Sequence, residues 1–193
     1  MTHRSITCHF DDHLQVVQTL FQQANAIEST GLVLVEALQR GGKILLCGNG
    51  GSAADAQHIA AEMVGRFNHR RPGLPALALT TDTSVLTSVA NDFGYEHVFS
   101  RQVEALGREG DVLVGLSTSG NSRNVLAAMH RAREMGLLTV ALLGGDGGAL
   151  KAVAGHALVV PSNATPIIQE CHIMLGHILC GMVDEAFRDD VSR

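Results

Sequence analysis

Two acid–base groups, His58 and Glu62, stand four residues apart in the stretch Ser52-Ala-Ala-Asp-Ala-Gln-His-Ile-Ala-Ala-Glu62. At that spacing a helix carries both on one face, where they can share a metal ion or pass a proton. Asp55 adds a second carboxylate to the same segment. Late in the chain, Gln169-Glu-Cys-His-Ile-Met-Leu-Gly-His177 sets a carboxamide, a carboxylate and two imidazoles in an otherwise apolar run. One such histidine is more often a structural residue than a ligand, but together the groups shift that balance. A helix separates Gln169 from His177 by roughly 12 Å along its axis and about 80° around it, so convergence on one ion would stretch both side chains. Either they bracket an ion from opposite ends or a neighbouring subunit completes the site. His172, about 60° from Gln169 on the other side, is the weaker candidate.

Beside the first group lies Gly48-Asn49-Gly50-Gly51-Ser52, directly after the apolar run Lys43-Ile-Leu-Leu-Cys47. Glycines there let the backbone turn sharply, and the N–H groups that open the following helix point at an anion. The ordinary alternative is a tight turn without a ligand. Gly48-x-Gly50-x-x-Ala53 also fits a dinucleotide fingerprint, but the acidic residue that a dinucleotide site needs about 20 positions on is missing, Asp82 arriving only about 30 on. A second loop, Leu116-Ser117-Thr118-Ser119-Gly120-Asn121-Ser122, repeats the arrangement with hydroxyls, a neutral nest able to grip a phosphate without lysine. Taken singly it is equally an ordinary helix cap. Two such loops at one sheet edge favour a phosphorylated small molecule, and Asn91-Asp92 offers further polar groups at a loop.

The elements that must position these residues are legible in the apolar spacing. Short aliphatic runs at 43–47, 75–79, 111–116, 138–143 and 156–160 read as strands covered on both faces. Helical patterns lie between them, at 52–67, 83–91, 98–106, 122–135 and 165–187. Strands alternating with helices predict an α/β fold, a three-layer α-β-α sandwich on a five-stranded parallel sheet. Leu14, Val17, Leu20 and Phe21 recur at helical spacing, so residues 1–40 read as an N-terminal helical arm before an α/β core at 41–193, with no domain boundary. Ile173, Leu175, Ile178, Leu179 and Met182 cover more than one face of the last helix, which predicts burial against a partner subunit.

Composition narrows the function classes. Hydrophobic residues make up 46% and charged ones 17%, a globular balance, and the formal net charge of −5 without any Lys/Arg run disfavours nucleic acid. Cys8, Cys47, Cys171 and Cys180 show no CxxC spacing, so reduced, packed thiols are expected. No signal-peptide core and no apolar run of membrane-spanning length is visible, which predicts a cytoplasmic protein without a membrane partner.

These motifs resemble a known family. The segments 48–58, 117–122 and 169–177, with Asn91-Asp-Phe-Gly-Tyr95 and Phe99-Ser-Arg-Gln102, are similar to the phosphoheptose isomerase branch of the sugar isomerase (SIS) domain proteins, over nearly the whole chain. The resemblance implies a SIS fold and conversion of sedoheptulose 7-phosphate to D-glycero-D-manno-heptose 7-phosphate through an enediolate, at the start of ADP-heptose and lipopolysaccharide synthesis. It implies Glu62 and His177 as acid–base pair, and one Zn²⁺ per subunit on His58, Glu62, Gln169 and His177. Substrate contacts would fall on Asn49, Gly50, Gly51, Ser52, Glu62, Asn91, Asp92, Ser117, Thr118, Ser119, Ser122 and Gln169, and the assembly would be a homotetramer. Pro166-Ile167 departs from the charged pair found in some members. The rival from the same fold is a non-catalytic regulator that binds the initiator protein DnaA, and His177, which that relative lacks, argues for the enzyme. A sugar-phosphate sensor would carry a helix-turn-helix segment, for which the roughly 40 residues before the sheet leave little room.

Overall fold

The structure, a computed structural model, describes residues 3–188. Its centre is a parallel sheet of β1 (Ile44–Gly48), β2 (Ala76–Ala78), β3 (Val112–Ser117), β4 (Leu138–Gly144) and β5 (His156–Val160) in the order β2-β1-β3-β4-β5. The chain steps from β1 outward to β2, then returns to the other side of β1 for β3. That reversal opens a crevice beyond the C-terminal ends of β1 and β3, where parallel α/β sheets place ligands. Both anion-binding loops of the sequence leave those two ends.

Every residue of β1 and β3 is buried, because helices cover both faces. Ile44, Leu46, Val112, Val114 and Leu116 point to one core, shared with α2 (Ala24–Gln39), α3 (Gly51–Val64) and α8 (Thr165–Ala186). Leu45, Cys47 and Leu113 point to the other, shared with α5 (Ser100–Leu106), α6 (Arg123–Glu134) and α7 (Gly148–Val153). The arm is α1 (His3–Leu20) and α2, broken by a 3₁₀ turn at Phe21–Gln23 where the sequence reads one continuous helix. The short α7 and the 3₁₀ turn Tyr95–His97 are also absent from the sequence reading, being too short to show a period. Asn91 and Asp92 sit in the last turn of α4 (Thr83–Phe93), rather than in a loop.

Three of the four cysteines are buried and none is paired, as expected, and burial pushes the Cys47 and Cys180 thiols up to about 12. The expectation that no apolar run reaches membrane-spanning length needs correction. The 22-residue α8 is long and apolar enough by composition, although half of that stretch is buried inside the molecule. Leu175 and Leu179 lie in the core and Ile178 is 42% exposed, so α8 is a core helix with an apolar outer margin.

His172 on α8 is 0% exposed and neither ring nitrogen makes a hydrogen bond of normal geometry. Burial lowers its pKa to about 4, with the Leu143 backbone acting weakly in the opposite sense. The folded imidazole therefore stays neutral while the unfolded one takes up a proton near its ordinary pKa of about 6.5. Stability held above pH 6.5 is lost between there and about pH 4, at up to about 1.4 kcal/mol per pH unit. Urea titrations across that window should show a shallower loss in His172→Leu than in the unsubstituted protein.

Candidate active site

The first loop is shaped by glycine. Gly50 has φ +57° and ψ −121°, a conformation closed to other residues, and its carbonyl accepts the Ala53 N–H at 3.1 Å as α3 begins. A side chain on Gly48 would fall 2.8 Å from the Ser52 carbonyl, so the strand can turn into the helix only with glycine there. α3 and α8 then lie side by side, pointing the same way. Their spacing is set by Gly176, where an added Cβ would come within 2.6 Å of the Ile59 side chain.

This close approach brings the two halves of the sequence motif together. His58 Nε2 on α3 lies 2.9 Å from His177 Nε2 on α8, and 3.5 Å from Glu62 Oε1 one turn further along α3. The Phe67 ring packs against His177 with centroids 5.6 Å apart. Asp55, one turn before His58, has a buried Oδ2 without a hydrogen-bond partner. Burial raises its pKa, and His58 opposes that shift.

Gln169 lies apart from this trio, against Gly51 at the start of α3. A Cβ on Gly51 would collide with the Gln169 carboxamide, whose end can swing away because the side chain is flexible. Gly51→Ala should therefore leave the melting temperature nearly unchanged while displacing Gln169, with turnover falling. A variant that keeps full turnover would remove Gln169 from the site.

Among the described residues, no three His, Cys, Asp or Glu side chains are arranged to hold a metal ion. His58, Glu62 and His177 are zinc ligands in kind, while Gln169 lies apart from them against Gly51. The His58–His177 and His58–Glu62 separations of 2.9 and 3.5 Å lie on either side of the roughly 3.3 Å edge of a tetrahedron built on zinc bonds of about 2.0–2.1 Å.

The second loop turns at Gly120, with φ +66°, and its hydroxyls are interlocked, Ser117 Oγ lying 2.9 Å from Ser122 Oγ and Ser119 Oγ accepting the Asn121 N–H at 3.2 Å. Thr118 and Ser119 line an open cavity of about 740 Å³ together with Gly145, Asp146, Ser162, Asn163, Thr165 and Ile168. A volume of that size accommodates a phosphosugar. Asn91 donates to Asp92 at 2.8 Å, and no hydrogen bond joins either to the remaining candidates.

Phe67 and Asn124 escape the sequence reading, and Tyr95 enters it only as part of a family motif. Asn124 bonds Asn49 reciprocally, and the Tyr95 hydroxyl donates to Asn49 Oδ1 at 3.3 Å. Asn124 follows Ser122 by two positions, a spacing that could have flagged it as part of the same loop-to-helix junction.

Comparison with known proteins agrees with this geometry. Residues 9–144 match the family described as SIS domain. A phosphoheptose isomerase of Desulfovibrio desulfuricans is 55% identical over 188 residues, covering 97% of this chain and 90% of the relative. The structure of phosphoheptose isomerase from Neisseria gonorrhoeae superposes with a TM-score of 0.89 at 46% identity, covering 94% of this chain and 98% of that one. One from Francisella tularensis gives 0.92 at 38% identity, covering 96% and 100%. With its glycine and serine loops at the switch point of the sheet and its paired histidines across α3 and α8, the chain is an enzyme that belongs to the phosphoheptose isomerase family of SIS-domain proteins.

Proposed function

We propose that this enzyme interconverts sedoheptulose 7-phosphate and D-glycero-D-manno-heptose 7-phosphate. The observation that carries the reading is the meeting of His58, Glu62 and His177 across α3 and α8, in a chain whose β3 ends on the interlocked Ser117–Ser122 loop. The phosphate is held by the hydroxyls and N–H groups of Ser117, Thr118, Ser119 and Ser122, and the sugar lies along Asn49, Gly50, Gly51 and Ser52 towards Gln169. Asn91 and Asp92, in the last turn of α4, would add polar contacts to the sugar.

In the ketose-to-aldose direction, Glu62 removes a proton from C1 while the C2 carbonyl oxygen gains one, giving the enediol. Return of a proton to C2 and loss of the O1 proton complete the aldose. His177 acts as the acid–base partner that serves the oxygens. His58, Glu62, Gln169 and His177 would hold zinc, which supplies Lewis-acid polarisation of the sugar oxygens when bound. Because one Glu62 oxygen faces His58, the other is left to accept the proton.

Residues 1–193 are read as one SIS domain, since β5 and α8 complete the sheet and the site beyond the matched stretch. A homotetramer is what the family resemblance implies, and an apolar groove of about 490 Å³ between α1, α2 and α8, lined by Val17, Leu20, Phe21, Ile27, Met174 and Ile178, supports association without fixing the number. Cytoplasmic location and supply of ADP-heptose for lipopolysaccharide follow from the substrate. The DnaA-binding alternative gains no support from relatives that carry isomerase names. Incubation of the purified protein with sedoheptulose 7-phosphate and zinc should yield the aldose, detected by NMR; no turnover under those conditions overturns the reading.

A further inference from the structure

Asn124 carries no reactive group, yet its amide is 4% exposed and engaged at both ends. Its Oδ1 accepts the Val125 N–H at 2.9 Å and Asn49 Nδ2 at 2.9 Å, while its Nδ2 donates to Asn49 Oδ1 at 2.8 Å. A backbone N–H can only donate, so Val125, in the first turn of α6, decides which end of the Asn124 amide is oxygen. The reciprocal pair passes that decision on to Asn49, whose Oδ1 must face Asn124 and also takes the Tyr95 hydroxyl. What Asn49 has left to offer a ligand is the second N–H of its Nδ2.

We infer that Asn124 is a positioning residue, which turns Asn49 so that it presents a hydrogen-bond donor to the substrate and ties the Gly48–Ser52 loop to the first turn of α6. The inference rests on the phosphosugar reading of the site given above. Hydroxyls, a carbonyl and a developing oxyanion of a sugar all accept hydrogen bonds, so a donor of fixed direction suits each stage of the isomerisation. The same pair fixes the distance between the loop that holds the phosphate and the loop that lies along the sugar. A freely rotating Asn49 would present oxygen and nitrogen alternately, and the oxygen would repel the substrate's carbonyl.

The test compares Asn124→Leu, which removes both bonds at similar volume, with Asn124→Asp. Aspartate keeps the acceptor for Val125 and for Asn49 Nδ2 but puts a second oxygen where Asn124 Nδ2 donated to Asn49 Oδ1 at 2.8 Å. Asn124→Leu should raise KM for sedoheptulose 7-phosphate about tenfold with a smaller change in kcat, and Asn124→Asp, which sets acceptor against acceptor, should not recover that loss. Inorganic phosphate should inhibit Asn124→Leu and the unsubstituted enzyme alike, because Ser117–Ser122 is intact. In an Asn49→Ala background, Asn124→Leu should add nothing further. Side-chain amide signals of Asn49 in ¹⁵N NMR should be split and slowly exchanging in the unsubstituted protein, and averaged in Asn124→Leu. A folded Asn124→Leu with unchanged KM and unchanged Asn49 signals overturns the inference, as do additive effects of the two substitutions. If Asn124→Leu does not fold, Asn124→Ser takes its place with the same expectations. Lack of turnover by the unsubstituted protein counts against the reaction alone, and the amide signals then decide the role of Asn124.

Discussion

Glu62→Gln and His177→Ala are each expected to lower kcat by about 10²–10⁴-fold while the protein stays folded, measured as aldose formed from sedoheptulose 7-phosphate alongside a thermal melt. Glutamine at 62 keeps the shape and loses the base. The fold should tolerate it, because what α3 contributes to the packing at this point is the Glu62 carbonyl, which accepts Arg71 Nη2 at 2.8 Å, and not the carboxylate. Loss of His177 removes the partner of His58 and leaves a gap beside Phe67, a small packing change next to a large chemical one. Each substitution should also lower the zinc content of the purified protein, read by elemental analysis. Chelation of the unsubstituted enzyme should lower its rate, and added zinc should restore it. Unsubstituted rates in both variants would sink the acid–base assignment.

The largest effect on stability is expected at Asp184, at the far end of α8. Its carboxylate is 0% exposed and accepts Arg71 Nε at 2.8 Å, with the N–H groups of Asn68 at 2.8 Å and His69 at 2.6 Å. Arg71, itself buried, donates onward to the Met63 and Glu62 carbonyls at the end of α3. One ion pair thus moulds the loop from Gly65 to Leu74 and seats Phe67 against His177. Asp184→Ala leaves a buried guanidinium and several N–H groups unpaired, which should cost about 3–5 kcal/mol. At this chain length the melting temperature should fall by roughly 10 °C. Burial alone would raise the Asp184 carboxyl, but the N–H groups of His69 and Asn68, the Arg71 guanidinium and the Phe67 N–H outweigh it and hold it below the usual carboxylate range. Its contribution is therefore complete above the ordinary carboxylate pKa and is lost as pH falls below that value. The stability difference between Asp184→Ala and the unsubstituted protein should shrink in that acid range and be full at neutral pH. A difference that persists unchanged into strong acid would show that the carboxylate charge is not what holds the loop.

Much of the site was legible because its parts are local. The i,i+4 pair His58 and Glu62 reads as one helical face, and the structure keeps it so. Both glycine and serine loops read as strand-to-helix turns and occupy the two strand ends beside the switch point. Pro75–Leu79 shrank to three residues at Ala76–Ala78, which pair with Ile44–Leu46 of β1. Phe67 and Asn124 were not legible, because a phenylalanine in a loop and an asparagine in a first helical turn have no periodicity to betray a distant partner.

The sequence by itself determined the alternation of strands and helices and singled out the candidate reactive groups, because each depends on neighbours within a few residues. It left open whether Gln169 and His177 bracket one ion or need a second subunit. Within the chain, only the tertiary structure could decide what each one meets. α3 and α8 pack side by side at Gly176, so residues eight positions apart on α8 meet different turns of α3. His177 therefore meets His58 and Gln169 meets Gly51. That pairing depends on the register between two helices more than 100 residues apart, which is set by the volume of the side chains between them and leaves no mark on either segment read alone.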